Sequence, residues 1–246
     1  MKTNSAYIGS ELELFSYASN WKTYYGRLIR PFLGECVAEV GAGIGATTEF
    51  LCNGDQRSWL CLEPDMEMAA EIERKIAAEN LPSCCDVAVG QLRDLPNDER
   101  FDSILYIDVL EHIQDDVDEL KTAMDHLKPG GYLVVLSPAH QFLFTPFDKA
   151  IGHHRRYDRN TLGHAAPRSA KLIKLVYLDS FGLIASLGNK IFLQQAMPTL
   201  QQILFWDRFL VPVSTVLDRL LFFRLGKSIL AVWQSPTDFQ KSERES

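Results

Sequence analysis

Val37-Ala-Glu-Val-Gly41-Ala-Gly43-Ile-Gly45-Ala-Thr47-Thr-Glu-Phe-Leu51 is the stretch from which the rest of the chain can be placed. Val37, Ala38 and Val40 form a short apolar run with no solvent face, the pattern of a parallel strand covered on both sides. Gly41, Gly43 and Gly45 then remove side chains where the backbone must turn and where a ligand can approach the main chain. Thr47 to Leu51 opens a helix whose first amides point towards that ligand.

Two ligand classes use such a turn. Gly41, Gly43 and Ala46 satisfy the Gly-x-Gly-x-x-Gly/Ala spacing of dinucleotide sites. Glu39, two residues before the first glycine, argues for the other class, because its charge would repel a pyrophosphate and suit a cationic amino acid. Glu39-x-Gly41-x-Gly43-x-Gly45 is similar to the first motif of class I S-adenosylmethionine (SAM) dependent methyltransferases. The remaining alternatives are an NAD-dependent oxidoreductase and a SAM-binding protein without catalysis. The first would need a hydride-transfer constellation such as Tyr-x-x-x-Lys, whereas Tyr106 is followed by Leu110.

Outward from the glycine turn, strand and helix patterns alternate. Ser58 to Leu62 is a second apolar strand ending in Glu63-Pro64-Asp65, and Glu63 stands 22 residues after Gly41, the interval at which a strand-end carboxylate can take both ribose hydroxyls. A helix from Asp65 to Ala78 leads to a third strand, Asp86 to Val89, and to Gly90-Gln91-Leu92. Phe101 to Asp108 is a fourth strand, followed by Val109-Leu110-Glu111-His112 at its carboxyl end. Asp115-Asp116 places negative charge at the start of the next helix. That helix is expected to run to Leu127 and to stop at Lys128-Pro129-Gly130-Gly131, before a fifth strand from Tyr132 to Leu136.

The resemblance to the methyltransferases thus extends over five ordered motifs from Cys36 to Leu136. It implies that Glu39, Gly41, Gly43 and Gly45 hold the methionine end of SAM, Glu63 and Pro64 the ribose, and Gln91 with Leu92 the adenine. Gln91 stands where the family usually has an acid. Asp108 and His112 would lie beside the cofactor. The resemblance also implies a sixth strand near Lys171 to Val176 and a seventh, antiparallel one near Ser228 to Trp233.

After the fifth strand, Gly152-His153-His154-Arg155-Arg156-Tyr157 resembles the Gly-His-x-Arg-Arg-Tyr lid motif of a bacterial subgroup of these enzymes. In a chain of net charge -7 this loop gathers Lys149, both histidines, Arg155, Arg156 and Arg159, which suggests that it meets an anion. In one reading His153, His154, Arg155, Arg156 and Tyr157 are the catalytic set, a histidine taking a proton from an acceptor hydroxyl and an arginine fixing a carboxylate or phosphate. In the other, the arginines pair with Asp148, Asp158 or other acids and clip a lid shut.

Composition sets the outer bounds. A length of 246 residues with 46% hydrophobic and 23% charged content suits one globular domain, and the acidic balance gives no basis for nucleic-acid binding. Cys36, Cys52, Cys61, Cys84 and Cys85 show no Cys-x-x-Cys spacing and no histidine at ligand distance, so reduced thiols, a cytoplasmic location and no metal are expected. The start of the chain lacks the apolar core of a signal peptide. Asp207, Arg208, Pro212, Asp218 and Arg219 interrupt the most apolar stretch, Ile203 to Phe223, so no transmembrane segment is expected.

The fold class that follows is α/β, a Rossmann-like, seven-stranded, mostly parallel sheet flanked by helices, with a helical cap inserted between the last two strands. Within one domain over 1–246, residues 1–35 are an N-terminal helical region, 36–179 the SAM-binding core, 180–227 the cap, 228–234 the last strand and 235–246 a flexible tail. Glu11 to Phe32 carries aromatic and aliphatic residues at helical spacing, among them Trp21, Tyr24 and Tyr25, which either pack on the sheet or cover the ligand. The cap's apolar surplus also suits a homodimer interface or peripheral contact with a membrane. The expected function is methyl transfer from SAM to a small-molecule acceptor, first a hydroxyl of an apolar or lipid-like compound with or without an anionic group, with nitrogen and carbon acceptors left open.

Overall fold

Seven strands, β1 Cys36–Val40, β2 Ser58–Glu63, β3 Cys85–Val89, β4 Phe101–Ile107, β5 Leu127–Pro138, β6 Lys171–Leu178 and β7 Ser228–Gln234, form a single sheet in the order β3-β2-β1-β4-β5-β7-β6. The computed structural model describes residues 12–188 and 198–237. Strands β1 to β5 are mutually parallel, and β7 runs antiparallel to both of its neighbours. The reversed β7 between β5 and β6 departs from the all-parallel order of dinucleotide folds.

Adjacent residues along each central strand feed opposite faces of the sheet, as a period of two requires. Val37, Leu105, Val134, Leu136, Leu230 and Val232 join one core with Trp21, Tyr25 and Trp206. Ala38, Val40, Ile104, Tyr106, Leu133, Val135 and Ala231 join the other with Leu110, Leu120 and Tyr157. Both faces are therefore covered, and every carboxyl strand end except that of the reversed β7 lies along one edge. At that edge stand the glycine turn, Glu63, Asp108 and Asp179.

Three boundaries differ from the sequence expectations. The helix before β5 ends at Asp125, and Lys128-Pro-Gly-Gly is absorbed into β5 as a bulge: Phe101 pairs with Leu127 but Ser103 with Tyr132. Gly130 takes a left-handed φ of 77°, and Lys128 is anchored 2.8 Å from Asp102. The helix after the glycine turn is a single turn, Thr48–Leu51. The N-terminal region is not one helix over Glu11 to Phe32: it breaks at Ala18, whose ψ of 67° is non-helical, resumes as Ser19–Ile29, and ends in a 3-10 turn from Arg30 to Phe32 containing Pro31. Glu11 itself lies outside the described residues.

The cap is described as helices Ser180–Gly188, Leu200–Phe205 and Val211–Leu220, the last two joined by a π-helical turn, Trp206–Leu210; the intervening 189–197, like the tail beyond 237, lies outside the described residues. Three buried carboxylates fasten it. Asp179 accepts from Trp206 Nε1 (2.8 Å), Ser214 Oγ (2.7 Å) and Gly182 N (2.9 Å). Asp218 accepts from the Tyr24 hydroxyl and the amides of Asp179 and Ser180. Asp207 accepts from the amides of Asn20 and Trp21, capping the helix Ser19–Ile29 from 187 positions away. Outside, the cap exposes Phe205, Phe209, Leu220 and Phe222. Among the described residues no helix is long and apolar enough to cross a membrane.

Candidate active site

At the end of β1, Gly41, Gly43 and Gly45 all have positive φ, 66°, 57° and 75°. At Gly41 a Cβ would also stand 2.7 Å from the Val109 side chain, so both backbone and neighbour demand glycine. The turn hangs on the adjacent strand: Gly41 N and Ala42 N donate to Leu62 O, and Gly43 N donates to Glu63 Oε2 at 2.7 Å. Glu63 Oε1 accepts from Asp65 N at 2.9 Å. The strand-end carboxylate and the glycine turn are therefore one unit. Burial raises the Glu63 carboxyl above its ordinary range, against the pull of the two amides. Pro64 follows, exposed, and Asp65 caps the helix Met66–Ala77 through Glu67 N and Met68 N.

Glu39 lies beneath this turn. It is buried, accepting from Thr48 Oγ1 at 2.7 Å and Trp59 Nε1 at 3.0 Å, and so ties β1 to the helix after the turn. Desolvation pushes its carboxyl up to about 7, outweighing those two hydrogen bonds. A carboxyl whose pKa is raised on folding contributes stability that is complete below its unfolded value, 4.5, and is lost as pH climbs through about 7. Glu39→Gln keeps an acceptor for Thr48 and Trp59 but does not titrate. Its stability gain over the native chain should be small at about pH 5 and reach roughly 3 kcal/mol by about pH 8. Thermal unfolding at the two pH values measures this, and a pH-independent difference would refute it.

Beyond β3, Gln91 is exposed with its amide donating to Asp94, while the Leu92 side chain is fully buried. Beyond β4, Asp108 takes a left-handed φ of 55° and its amide donates to Leu136 O, which turns its side chain out of the strand and into the edge. It is exposed by surface yet enclosed enough that desolvation pushes its carboxyl up to about 6, with Lys227 and Arg156 pulling the other way. The next turn carries Glu111, fully buried and bonded to Ser137 Oγ at 2.9 Å, and His112, exposed and held down to about 4, chiefly by desolvation and then by its histidine neighbours.

The lid returns over this turn. His153 Nδ1 lies 3.0 Å from Asp148 Oδ1, and its ring packs edge-on against His112 with centroids 4.5 Å apart. His154 is exposed, its amide donating to Glu111 O. Arg156 grips Asp148 with both Nε and Nη2, at 2.7 and 3.0 Å. Arg155 pairs with Asp116 at 2.7 Å, and the buried Tyr157 hydroxyl donates to the same carboxylate at 2.7 Å. Arg155, Arg156 and Tyr157 thus bind acids of the chain itself, and His153 is the member of the motif brought against the strand-end residues. The expected pairing with Asp148 is present, whereas Asp158 instead caps the helix Arg159–Ala165.

Some members of the edge carried no readable signal in the sequence. Lys227, just before β7, sits 3.7 Å above the Trp206 ring and 3.5 Å from Asp179. No spacing along the chain suggested a metal-ligand cluster, yet the fold brings ligand atoms of Glu111, His112 and His153 within 4.8 Å of one another, and likewise those of Cys52, Cys84 and Cys85. Trp21 and Tyr24 pack on or bond to the cap, and the Tyr25 hydroxyl reaches Thr47 Oγ1 at 3.4 Å.

Residues 38–133 match the family described as a methyltransferase domain. Among solved structures, the chain is similar to a SAM-dependent methyltransferase from Clostridium acetobutylicum (13% identity, 89% of this chain and 92% of that one, TM-score 0.57). It is also similar to geranyl diphosphate methyltransferase in complex with SAM (11%, 85% and 84%, 0.60) and to coclaurine N-methyltransferase bound to N-methylheliamine and SAH (12%, 87% and 72%, 0.58). At these identities the likeness establishes the fold. Among curated proteins none matches the sequence significantly.

Proposed function

We infer that this chain, which carries a methyltransferase domain and takes S-adenosylmethionine as its cofactor, methylates a hydroxyl of an apolar or lipid-like, anionic small molecule. The observation that carries this reading is the union of Glu63 with the glycine turn through Gly43 N: one receptor that offers bare backbone on one side and a fixed carboxylate on the other. The residues fit the cofactor. Gly41, Gly43 and Gly45 leave room for the methionine end, Glu63 accepts from the ribose hydroxyls, and Gln91 and the Leu92 backbone border the adenine. Glu39 acts from beneath as a positioning residue.

S-adenosylmethionine supplies a methyl group activated by a sulfonium. The chain's part is alignment and exclusion of water. Asp108 and His112 flank the methyl position, and His153 is carried to the same place by the lid. Arg155, Arg156, Tyr157, Asp116 and Asp148 hold that lid closed. Lys227, over Trp206 and 3.5 Å from Asp179, adds a cation that meets an anionic group of the acceptor, and the apolar cap suits the rest of that molecule.

Calorimetry should give micromolar binding of SAM and no comparable binding of NAD. Methyl-labelled SAM should then mark the oxygen of hydroxylated apolar compounds, better with a carboxylate or phosphate than without. Tighter NAD binding, or no SAM binding, would overturn the reading. Label on nitrogen or carbon would overturn the choice of acceptor.

A further inference from the structure

We propose that Glu111, His112 and His153 form a binding site for a divalent transition-metal ion beside the methyl position. The proposal deepens the methyltransferase reading and rests on it for its consequence, not for the binding itself. Its first support is an orphaned atom. Glu111 is completely buried and its Oε2 accepts from Ser137, but Oε1 has no hydrogen-bond donor. His153 Nε2 stands 3.8 Å from it, too far for a hydrogen bond. A buried carboxylate oxygen left without a partner is costly.

The second support is the way His153 is held. Asp148 engages Nδ1, which fixes the tautomer with its proton there and turns the lone pair of Nε2 towards Glu111. Asp148 is itself held by Arg156 and by the amide and hydroxyl of Thr145. A carboxylate behind a histidine in this manner is how metal-bound imidazoles are commonly oriented. His112 completes the group from the other side, its ring edge-on to that of His153. The ligand atoms lie within 4.8 Å of one another, and a tetrahedral ion at ordinary bond lengths needs roughly 3.4 Å. Closing that gap asks for about an ångström of movement shared among the three side chains.

Two imidazoles and one carboxylate leave coordination positions open and suit zinc, manganese, iron or cobalt better than calcium. Asp108, three residues before Glu111, adds negative charge from the strand end, while Arg156 lies on the far side of Asp148. An ion there would bridge β4 to the lid and offer an acceptor hydroxyl a ligand position, from which its proton passes to water more readily.

The test uses the full chain, freed of metal by a chelator and titrated with Co²⁺, followed by visible absorption and calorimetry. The expected result is one Co²⁺ per chain, with the weak visible bands of nitrogen and oxygen ligation. Affinity should fall on the order of 100-fold in His153→Ala, His112→Ala and Glu111→Gln and stay unchanged in the distant His164→Ala. Circular dichroism and thermal unfolding of the same variants report that they remain folded. Absence of Co²⁺ binding in a chain that binds SAM would overturn the metal site and leave His153 as a direct proton acceptor. Strong near-ultraviolet sulfur-to-cobalt absorption that survives the histidine variants would overturn it too, assigning the ion to Cys52, Cys84 and Cys85. Co²⁺ bound without SAM would sustain the site and sink the methyltransferase reading.

Discussion

Replacing Glu63 by alanine should weaken S-adenosylmethionine binding by roughly 100- to 1,000-fold. Two ribose hydroxyls donating to one carboxylate form charge-assisted hydrogen bonds of about 1.5–3 kcal/mol each, and every 1.4 kcal/mol is about tenfold in affinity. The carboxylate is pre-placed by Gly43 N at 2.7 Å and Asp65 N at 2.9 Å, so no side-chain ordering is charged against binding. Glu63→Gln keeps the volume and one acceptor oxygen, and its loss should be smaller, about tenfold. Calorimetry on the two variants gives the answer. A dissociation constant within about threefold of the native one in Glu63→Ala would make Glu63 a brace for the glycine turn and nothing more.

The second large effect concerns stability. Asp179→Ala strips Trp206 Nε1, Ser214 Oγ and Gly182 N of their acceptor and leaves Lys227 without its carboxylate partner 3.5 Å away. Removing one partner from a buried, hydrogen-bonded charge network costs about 3–5 kcal/mol. In a domain of this size that lowers the melting temperature by roughly 10 °C. Urea unfolding should show the loss, with Trp206 fluorescence changing in the native baseline because its indole loses its partner. A loss below about 1 kcal/mol would mean that water replaces the carboxylate without penalty.

The fold could be read from local features because its elements are local. Val37 to Val40 and Phe101 to Ile107 are largely apolar runs of strand length, and Gly41, Gly43 and Gly45 each take a positive φ in the turn after β1. The reversal of β7 came from the resemblance; its pattern, Ile229, Ala231 and Trp233 alternating with Leu230 and Val232, marked only a strand buried on both faces. The lid was half legible. Its concentration of cations was plain, but the anions that meet Arg155 and Arg156 are Asp116 and Asp148, and which acid meets which arginine depends on how the loop folds back. Glu111 and His153 are 42 positions apart, and Lys227 is 119 beyond Asp108. Nothing in spacing relates such pairs, because crossovers of β-strand topology, not helix or turn periodicity, bring them together. The Lys-Pro-Gly-Gly segment misled for the opposite reason: its turn-like composition is genuine, yet it serves a bulge inside a strand.

Asp207 capping the first amides of the helix Ser19–Ile29 bears on the order of events during synthesis. That helix leaves the ribosome well before the cap, and the charge that completes its amino end follows 187 residues later. At about 5–20 residues per second the delay is on the order of 10–40 seconds. Through that interval Trp21 and Tyr24 lack Trp206 and Asp218, so the nascent chain carries an aromatic face that stays open until the cap is made. Newly made chains should therefore depend on shielding by a chaperone until the cap is translated, and a release from the ribosome before Asp207 should yield aggregation rather than a smaller folded core.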